Sequence, residues 1–312
     1  MTMASPTTGA FRQPRFPLLA QLLRSPGSAA AAVVAIGLIA AAFLVPPLMA
    51  QDPFAPGGAA IWEAFTPPVW MDGGSSTYLL GTDNQGRDMV ASMLFGLRTS
   101  LVVGFLAVGI GLVLGVTLGL VAGFVGGVVD AVIMRLADIQ LAYPALLLAM
   151  IISGAAGTVT GPQRSVSAAI TIVVVSIGVS FWVQYARTVR SSVLVERDQD
   201  YVAAARITGR SSVAIMFTHI LPNVMGPVLV IATINLAIAI ITEATLSFLG
   251  IGIPLTQPSL GTIIRNGNSY LQSGEWWIVV WPCLLLIVFV IAINVLGDWM
   301  RDALNPRLKR RG

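Results

Sequence analysis

Six apolar runs constrain this chain more than any single motif, because each is close to the ~20 residues an α-helix needs to cross a hydrocarbon core. They cover about residues 29–50, 99–123, 131–154, 166–186, 228–249 and 278–296. The runs are continuous, whereas the strands of a membrane β-barrel show short alternating segments. Backbone amides in lipid find no water, so each run is expected to be helical. Composition agrees: 56% of the 312 residues are hydrophobic and 10% are charged, against about 25% charged in soluble domains. The chain therefore reads as an all-α integral membrane protein with six transmembrane helices. The first run exceeds the 7–15 residues of a signal-peptide core and ends in Pro46 and Pro47, so it is expected to remain as an anchor.

Arginine placement sets the expected orientation. Arg12, Arg15 and Arg24 precede the first run. Arg187, Arg190, Arg197, Arg206 and Arg210 lie between the fourth and fifth. Arg301, Arg307, Lys309, Arg310 and Arg311 follow the sixth. Even numbers of crossings put these regions on one side, and the other side holds Arg87, Arg98, Arg164 and Arg265. Both termini are expected to be cytoplasmic. The organisation is then a tail at 1–28, a first helix at 29–50, an extracytoplasmic loop with a short helix at 51–98, a five-helix core at 99–300 containing a cytoplasmic loop at 187–225, and a tail at 301–312. Asp88 is placed to cap a helix running through Met93, Leu94 and Leu97 into the second span.

Several chemistries are excluded by residue inventory. The only lysine, Lys309, stands in a basic tail, so the Gly-rich turn closed by lysine that cradles nucleotide phosphates is missing. Any ATP hydrolysis must come from a partner. Cys283 and His219 are the only residues of their types, which leaves no disulfide framework, no cysteine–histidine metal site and no catalytic triad by spacing. The net charge of +4 flanks apolar runs instead of lining one soluble face, which argues against nucleic acid.

The loop at 187–225 carries the densest local signals. Asp200 is expected to cap a helix over 201–208. Gly209 suits its left-handed end, and Ser211 or Ser212 suits the start of a second helix. Val213, Met216, Phe217 and Ile220 fall at i, i+3, i+4 and i+7 and form one apolar face. Pro222 is expected to stop that helix. A basic hairpin with an apolar stripe fits docking into another protein's groove; packing on the ends of the membrane helices is the alternative.

Within the spans, Glu243 either lines a pathway or forms a gate pair, or lies near the external interface in contact with water or backbone. Asn235, Thr242, Ser247 and Asn294 are expected to join helices by hydrogen bonds. Gly111, Gly115 and Gly119 share one helical face at the spacing that lets backbones approach. Trp276, Trp277 and Trp281 read as an interfacial aromatic belt.

Ala204, Ala205, Gly209, Leu221 and Pro222 stand at the spacing of the coupling loop of ATP-binding-cassette (ABC) importer permeases, with Ala203 where that loop usually has Glu. Leu80-Gly81-Thr82-Asp83, Gly86-Arg87-Asp88, the run from Asp130 to Pro144, Glu243-Ala244 with Leu246 through Gly250, and Gly297-Asp298 with Arg301 through Leu304 and Pro306-Arg307 are similar to the dipeptide and oligopeptide branch, with Asn305 where that branch more usually has Asp. The resemblance covers the chain from residue 79 onward. It implies the type I importer permease fold, the bacterial inner membrane and peptide cargo, with nickel chelates, glutathione or oligosaccharides as alternatives. It implies a second homologous permease subunit, two ATPase subunits that bind ATP and Mg, an extracytoplasmic binding protein, surrounding lipid, and no cofactor in this chain. The ATPase contact is expected at Ala204, Ala205, Gly209, Ser211, Val213, Met216, Phe217, Leu221 and Pro222, and pathway or gate positions at Glu243, Asn235 and Ser247. An ion-coupled secondary transporter competes, but it calls for intramembrane acidic or histidine relays, and few such residues are present. An intramembrane enzyme would need a paired catalytic constellation that is not found.

Overall fold

The computed structural model describes residues 21–49, 54, 61–161 and 165–304. Arg12, Arg15, Arg164, Arg307, Lys309, Arg310 and Arg311, used above for orientation, lie outside the described residues. So do most of the tails at 1–28 and 301–312 and part of the 51–98 loop.

Ten α-helices organise the described residues: α1 Pro26–Leu44, α2 Met89–Val125, α3 Gly127–Leu141, α4 Ala145–Thr160, α5 Val166–Glu196, α6 Asp200–Ile207, α7 Ser212–Ile215, α8 Leu221–Phe248, α9 Leu260–Asn268 and α10 Trp277–Leu304. The β pairing among them is one isolated bridge, Thr82 with Asp88. Five stretches are long and apolar enough to span a membrane, and the bent pair α3–α4 makes a sixth when counted as one span.

The central pair is α2 and α5, and glycine explains how close they come. A Cβ on Gly115 would sit 2.3 Å from the Trp182 carbonyl oxygen, and one on Gly119 2.4 Å from that of Ala186. Only residues without side chains let two backbones meet so closely, and in lipid such packing is a main source of helix association. Around this pair, Leu97, Leu101, Phe181, Tyr185, Ile240 and Phe289 fill the buried core. The Asp88 cap holds as expected: its Oδ1 accepts from Val90 N at 3.1 Å, and α2 then runs for 37 residues.

The third apolar run departs from expectation. It is not one straight helix over 131–154 but α3 and α4, bent by 90° between Leu141 and Ala145. Pro144 disfavours the helical region at Tyr143 and has no N–H to continue the ladder. The Gln140 side chain then secures α3: its Nε2 donates to the Val179 and Ser180 carbonyls at 3.0 and 3.1 Å, and its Oε1 accepts from Trp182 Nε1 at 2.6 Å. The fourth run is also longer than its apolar part. Arg187 and Arg190 belong to α5 rather than to a loop, and they pair with Asp138 and Asp130 of α3.

At the opposite end, residues 61–88 form a cap on α9 and α10. Asp83 Oδ1 accepts from Gln85 N and Arg87 N at 2.8 and 2.9 Å, while burial pushes its carboxyl above the usual range. Asn266 Nδ2 donates to Asn84 Oδ1 at 2.6 Å. Trp277 Nε1 donates to the Thr82 carbonyl at 3.0 Å. The tryptophans expected as a belt are therefore partly turned inward: Trp277 is buried, and Trp281 packs edge-on to Trp70 of the cap.

Candidate functional site

The hairpin at 200–222 is built from local rules. The α6 helix ends in a Schellman motif: Arg210 N donates to the Ala205 carbonyl and Gly209 N to that of Arg206, with Gly209 at φ +77°. That pattern satisfies end carbonyls and requires a residue at ease in the left-handed region. Ser211 caps the next turn by accepting from Ala214 N. Asp200 differs from expectation: it is the first helical residue, Gln199 is the N-cap, and no side chain caps this end. Its carboxylate acts through favourable charge at the helix start.

Pro222 does not stop the second helix. A π-turn over Met216–Ile220 joins α7 to α8 without a break, and Leu221 N donates to the Met216 carbonyl, five residues back. In a regular helix the proline ring would clash with the carbonyl four residues earlier; the wider turn accommodates it.

The expected single apolar face divides. Met216 and Ile220 are buried in the chain's own core with Ile215, whereas Val213 is 62% and Phe217 49% exposed. Ile207, which the periodicity did not single out, is 87% exposed at the end of α6. Ala203, Ala204, Arg206, Gly209, Arg210, Ser211 and Pro222 are also exposed, Leu221 is half-buried, and Ala205 is buried. The tip therefore presents Ile207, Val213 and Phe217 beside two arginines. Ile207 could have been found from its place in the last turn before the glycine.

The base of the hairpin is held firmly. Tyr201 OH donates to Glu196 Oε2 at 2.6 Å and accepts from Asn223 Nδ2 at 3.1 Å. Burial and this carboxylate push the phenol above its ordinary range, so it stays protonated as a donor. The Arg206 guanidinium lies 5.6 Å from the Phe124 ring centroid, and Arg197 Nη1 donates to the Gly123 carbonyl at 2.9 Å. Movement at the tip is thereby tied to the ends of α2, α5 and α8.

Glu243 meets neither water nor a cleft. It is fully buried, with Oε2 accepting from Ser100 Oγ at 2.6 Å and Oε1 from Ser247 Oγ at 2.7 Å. Those hydroxyls in turn accept from Leu260 N and Ile253 N at 3.2 and 3.1 Å. One carboxyl group thus joins α2, α8 and both ends of the connection to α9. Ser100 carries no sequence signal for this role, since its partner is 143 residues away. Asn235 is buried in α8, and its amide faces the buried Tyr185 hydroxyl of α5.

Removing the carboxyl group by Glu243→Ala leaves two buried hydroxyls without their acceptor and a cavity, each costing about 1–3 kcal/mol. The melting temperature of the purified chain should fall by on the order of 5 °C or more. Glu243→Gln, which keeps one acceptor oxygen, should fall by less. Equal melting of all three proteins would show that the cluster contributes nothing.

The profile of the family described as binding-protein-dependent transport system inner membrane component matches residues 115–310. The di/tripeptide transport system permease protein DppC of Pseudomonas aeruginosa strain UCBPP-PA14 is 39% identical over 244 residues, 78% of this chain and 77% of that one. The dipeptide transport system permease protein DppC of Escherichia coli K12 is 43% identical over 244 residues, 78% of each chain. Among solved structures, a chain of the inward-facing MetNI methionine ABC transporter superposes with a TM-score of 0.53 at 21% identity, covering 70% of this chain and 98% of that one. At that identity the likeness is one of fold, and the fold is that of a type I ABC importer permease.

Proposed function

Because the chain belongs to the family of binding-protein-dependent transport system inner membrane components, we propose that it forms half of the translocation pathway of an ATP-driven importer of short peptides. The cargo reading rests on relatives named for dipeptide transport that match 78% of this chain. The working unit is this permease with a second, homologous one. Two ATPase subunits bind ATP and Mg on the cytoplasmic side, and an extracytoplasmic binding protein delivers cargo. Both termini face the cytoplasm of a bacterial inner membrane.

The exposed hairpin supports the coupling role. Ile207, Val213 and Phe217 form an apolar knob for the ATPase groove, with Ser211 and Gly209 shaping the turn and Met216, Leu221 and Ala205 supporting it from behind. ATP binds the closed ATPase pair more tightly than the open one, and this difference is what shifts the permease between inward- and outward-facing states. The Tyr201–Glu196–Asn223 network carries tip displacement into α5 and α8. Glu243 and Ser247 hold the connection after α8 in place, acting behind the pathway rather than on its wall.

Reconstitution in liposomes tests this reading. The chain alone should hydrolyse no ATP. The complete complex should take up a labelled dipeptide in a manner blocked by inhibiting the ATPase and unaffected by dissipating ion gradients. Uptake that follows the ion gradient and ignores ATPase inhibition would replace this reading with a secondary transporter. Uptake of a nickel chelate or an oligosaccharide but of no peptide would keep the permease and change the cargo.

A further inference from the structure

We infer that Arg265 forms a subsite for the free carboxylate of the cargo at the extracytoplasmic mouth of the pathway, an assignment that rests on the peptide reading above. A cleft of about 860 Å³ lies between α4, the connection after α8, and α9. Its walls are small or neutral, with Ser153, Gly157 and Thr158 from α4 and Thr256 from the connection, and among the described residues its one charged lining residue is Arg265 of α9. The guanidinium is half-buried. No carboxylate of the described residues lies within ion-pair distance of it, and no acceptor within hydrogen-bond distance.

The placement of this group is built into the backbone. Gly250 has φ +82°, and a Cβ there would come within 2.7 Å of Arg265 Nη1 and 2.9 Å of its Cζ and Nη2. The guanidinium therefore rests on a surface that only glycine leaves open. That surface is itself fixed. Ile251 N and Gly252 N donate to the Leu246 carbonyl at 3.0 and 2.9 Å, Ser153 Oγ donates to the Ile251 carbonyl at 2.9 Å, and Ser247 Oγ, anchored by Glu243, accepts from Ile253 N.

A cation held without a partner at the edge of a membrane protein points to a pathway ligand. The planar fork of arginine matches a carboxylate through two parallel hydrogen bonds. Every linear peptide with a free C-terminus carries that group whatever its side chains, so one arginine among neutral walls grips the common feature and leaves the variable ones ungripped. Partial exposure keeps the interaction weak enough for release.

The test uses the complete transporter with its binding protein and ATPase subunits, in a cysteine-free background, reconstituted in liposomes. The probe is labelled alanyl-alanine below saturation. Arg265→Cys should lower uptake about tenfold, as expected for loss of one charge-assisted contact at a half-exposed site. Treatment with aminoethyl methanethiosulfonate, which restores a cation, should recover most of the uptake, and neutral methyl methanethiosulfonate should recover none. Recovery of assembled complex by size-exclusion chromatography, equal to that of the unsubstituted complex, excludes misfolding; if Arg265→Cys assembles poorly, Arg265→Lys takes its place and should retain more uptake than Arg265→Gln. Unchanged uptake by Arg265→Cys, equal rescue by the neutral and cationic reagents, or equal uptake by the Lys and Gln variants would overturn the assignment. Failure of the unsubstituted complex to take up alanyl-alanine would overturn the peptide reading itself, and the carboxylate subsite with it.

Discussion

Phe217→Asp should reduce ATPase association by about 30-fold or more while leaving the chain folded in the membrane. The side chain is half exposed on the π-turn, and Val213 and Ile207 of the same hairpin are exposed as well, so its loss opens no cavity in the chain's own core. Aromatic anchors at the centre of an interface typically contribute 2 kcal/mol or more, and each 1.4 kcal/mol is tenfold in affinity. Placing a carboxylate in an apolar groove adds a desolvation penalty to that loss. Phe217→Leu keeps an apolar contact and should fall between the two. Titration of detergent-solubilised permease with ATPase subunits measures the change, and uptake in liposomes should follow it. Wild-type affinity in the Asp variant would exclude the tip as the main contact and move it elsewhere on the cytoplasmic face.

Gly209→Val should abolish most uptake by a different route. A Cβ at Gly209 would meet nothing within 4 Å, so space is not the constraint. The constraint is the backbone: φ is +77°, a region that a β-branched residue strongly resists, at about 1–2 kcal/mol for left-handed L residues in general. The relaxed turn would break the two Schellman hydrogen bonds and swing Ile207 away from Val213 and Phe217. The apolar knob would then no longer be presented as one surface. Gly209→Asn separates conformation from mere substitution, because asparagine tolerates the left-handed region. The expected order of uptake is glycine, then asparagine, then valine at roughly a tenth or less of the first. Equal uptake by the asparagine and valine variants would show that the turn conformation is not what matters.

The two variants probe features of different legibility. Gly209 was readable because a glycine after a short helical pattern reports a local backbone angle, and local angles depend on neighbouring residues alone. The same holds for the Asp88 cap and for Gly115 and Gly119, whose spacing on one face announced close packing before their partners were known. The tip was only half readable. Periodicity placed Val213, Met216, Phe217 and Ile220 on one face of an ideal helix. The π-turn that accommodates Pro222 changes the angular step, and the stripe straddles the boundary of the bundle. Two of its members therefore pack inward and two face out.

What the sequence by itself determined is the solvent of the protein and the class of its structure. Runs of about twenty apolar residues can be satisfied in lipid only as helices, whatever their neighbours. Tertiary structure alone decided the rest. It bent the third span by 90° at a proline that a span of sufficient length did not need to reveal. It turned Trp277 inward to the Thr82 carbonyl, and it buried Glu243 against Ser100 rather than exposing it to a pathway or to water. It also set Arg265 over Gly250 with no carboxylate of the described residues within ion-pair distance. The physical reason is common to all of these. Hydrophobic length and backbone angle are properties of short stretches, whereas the partner of a polar group is supplied by a helix tens or hundreds of residues away, and only packing brings the two together.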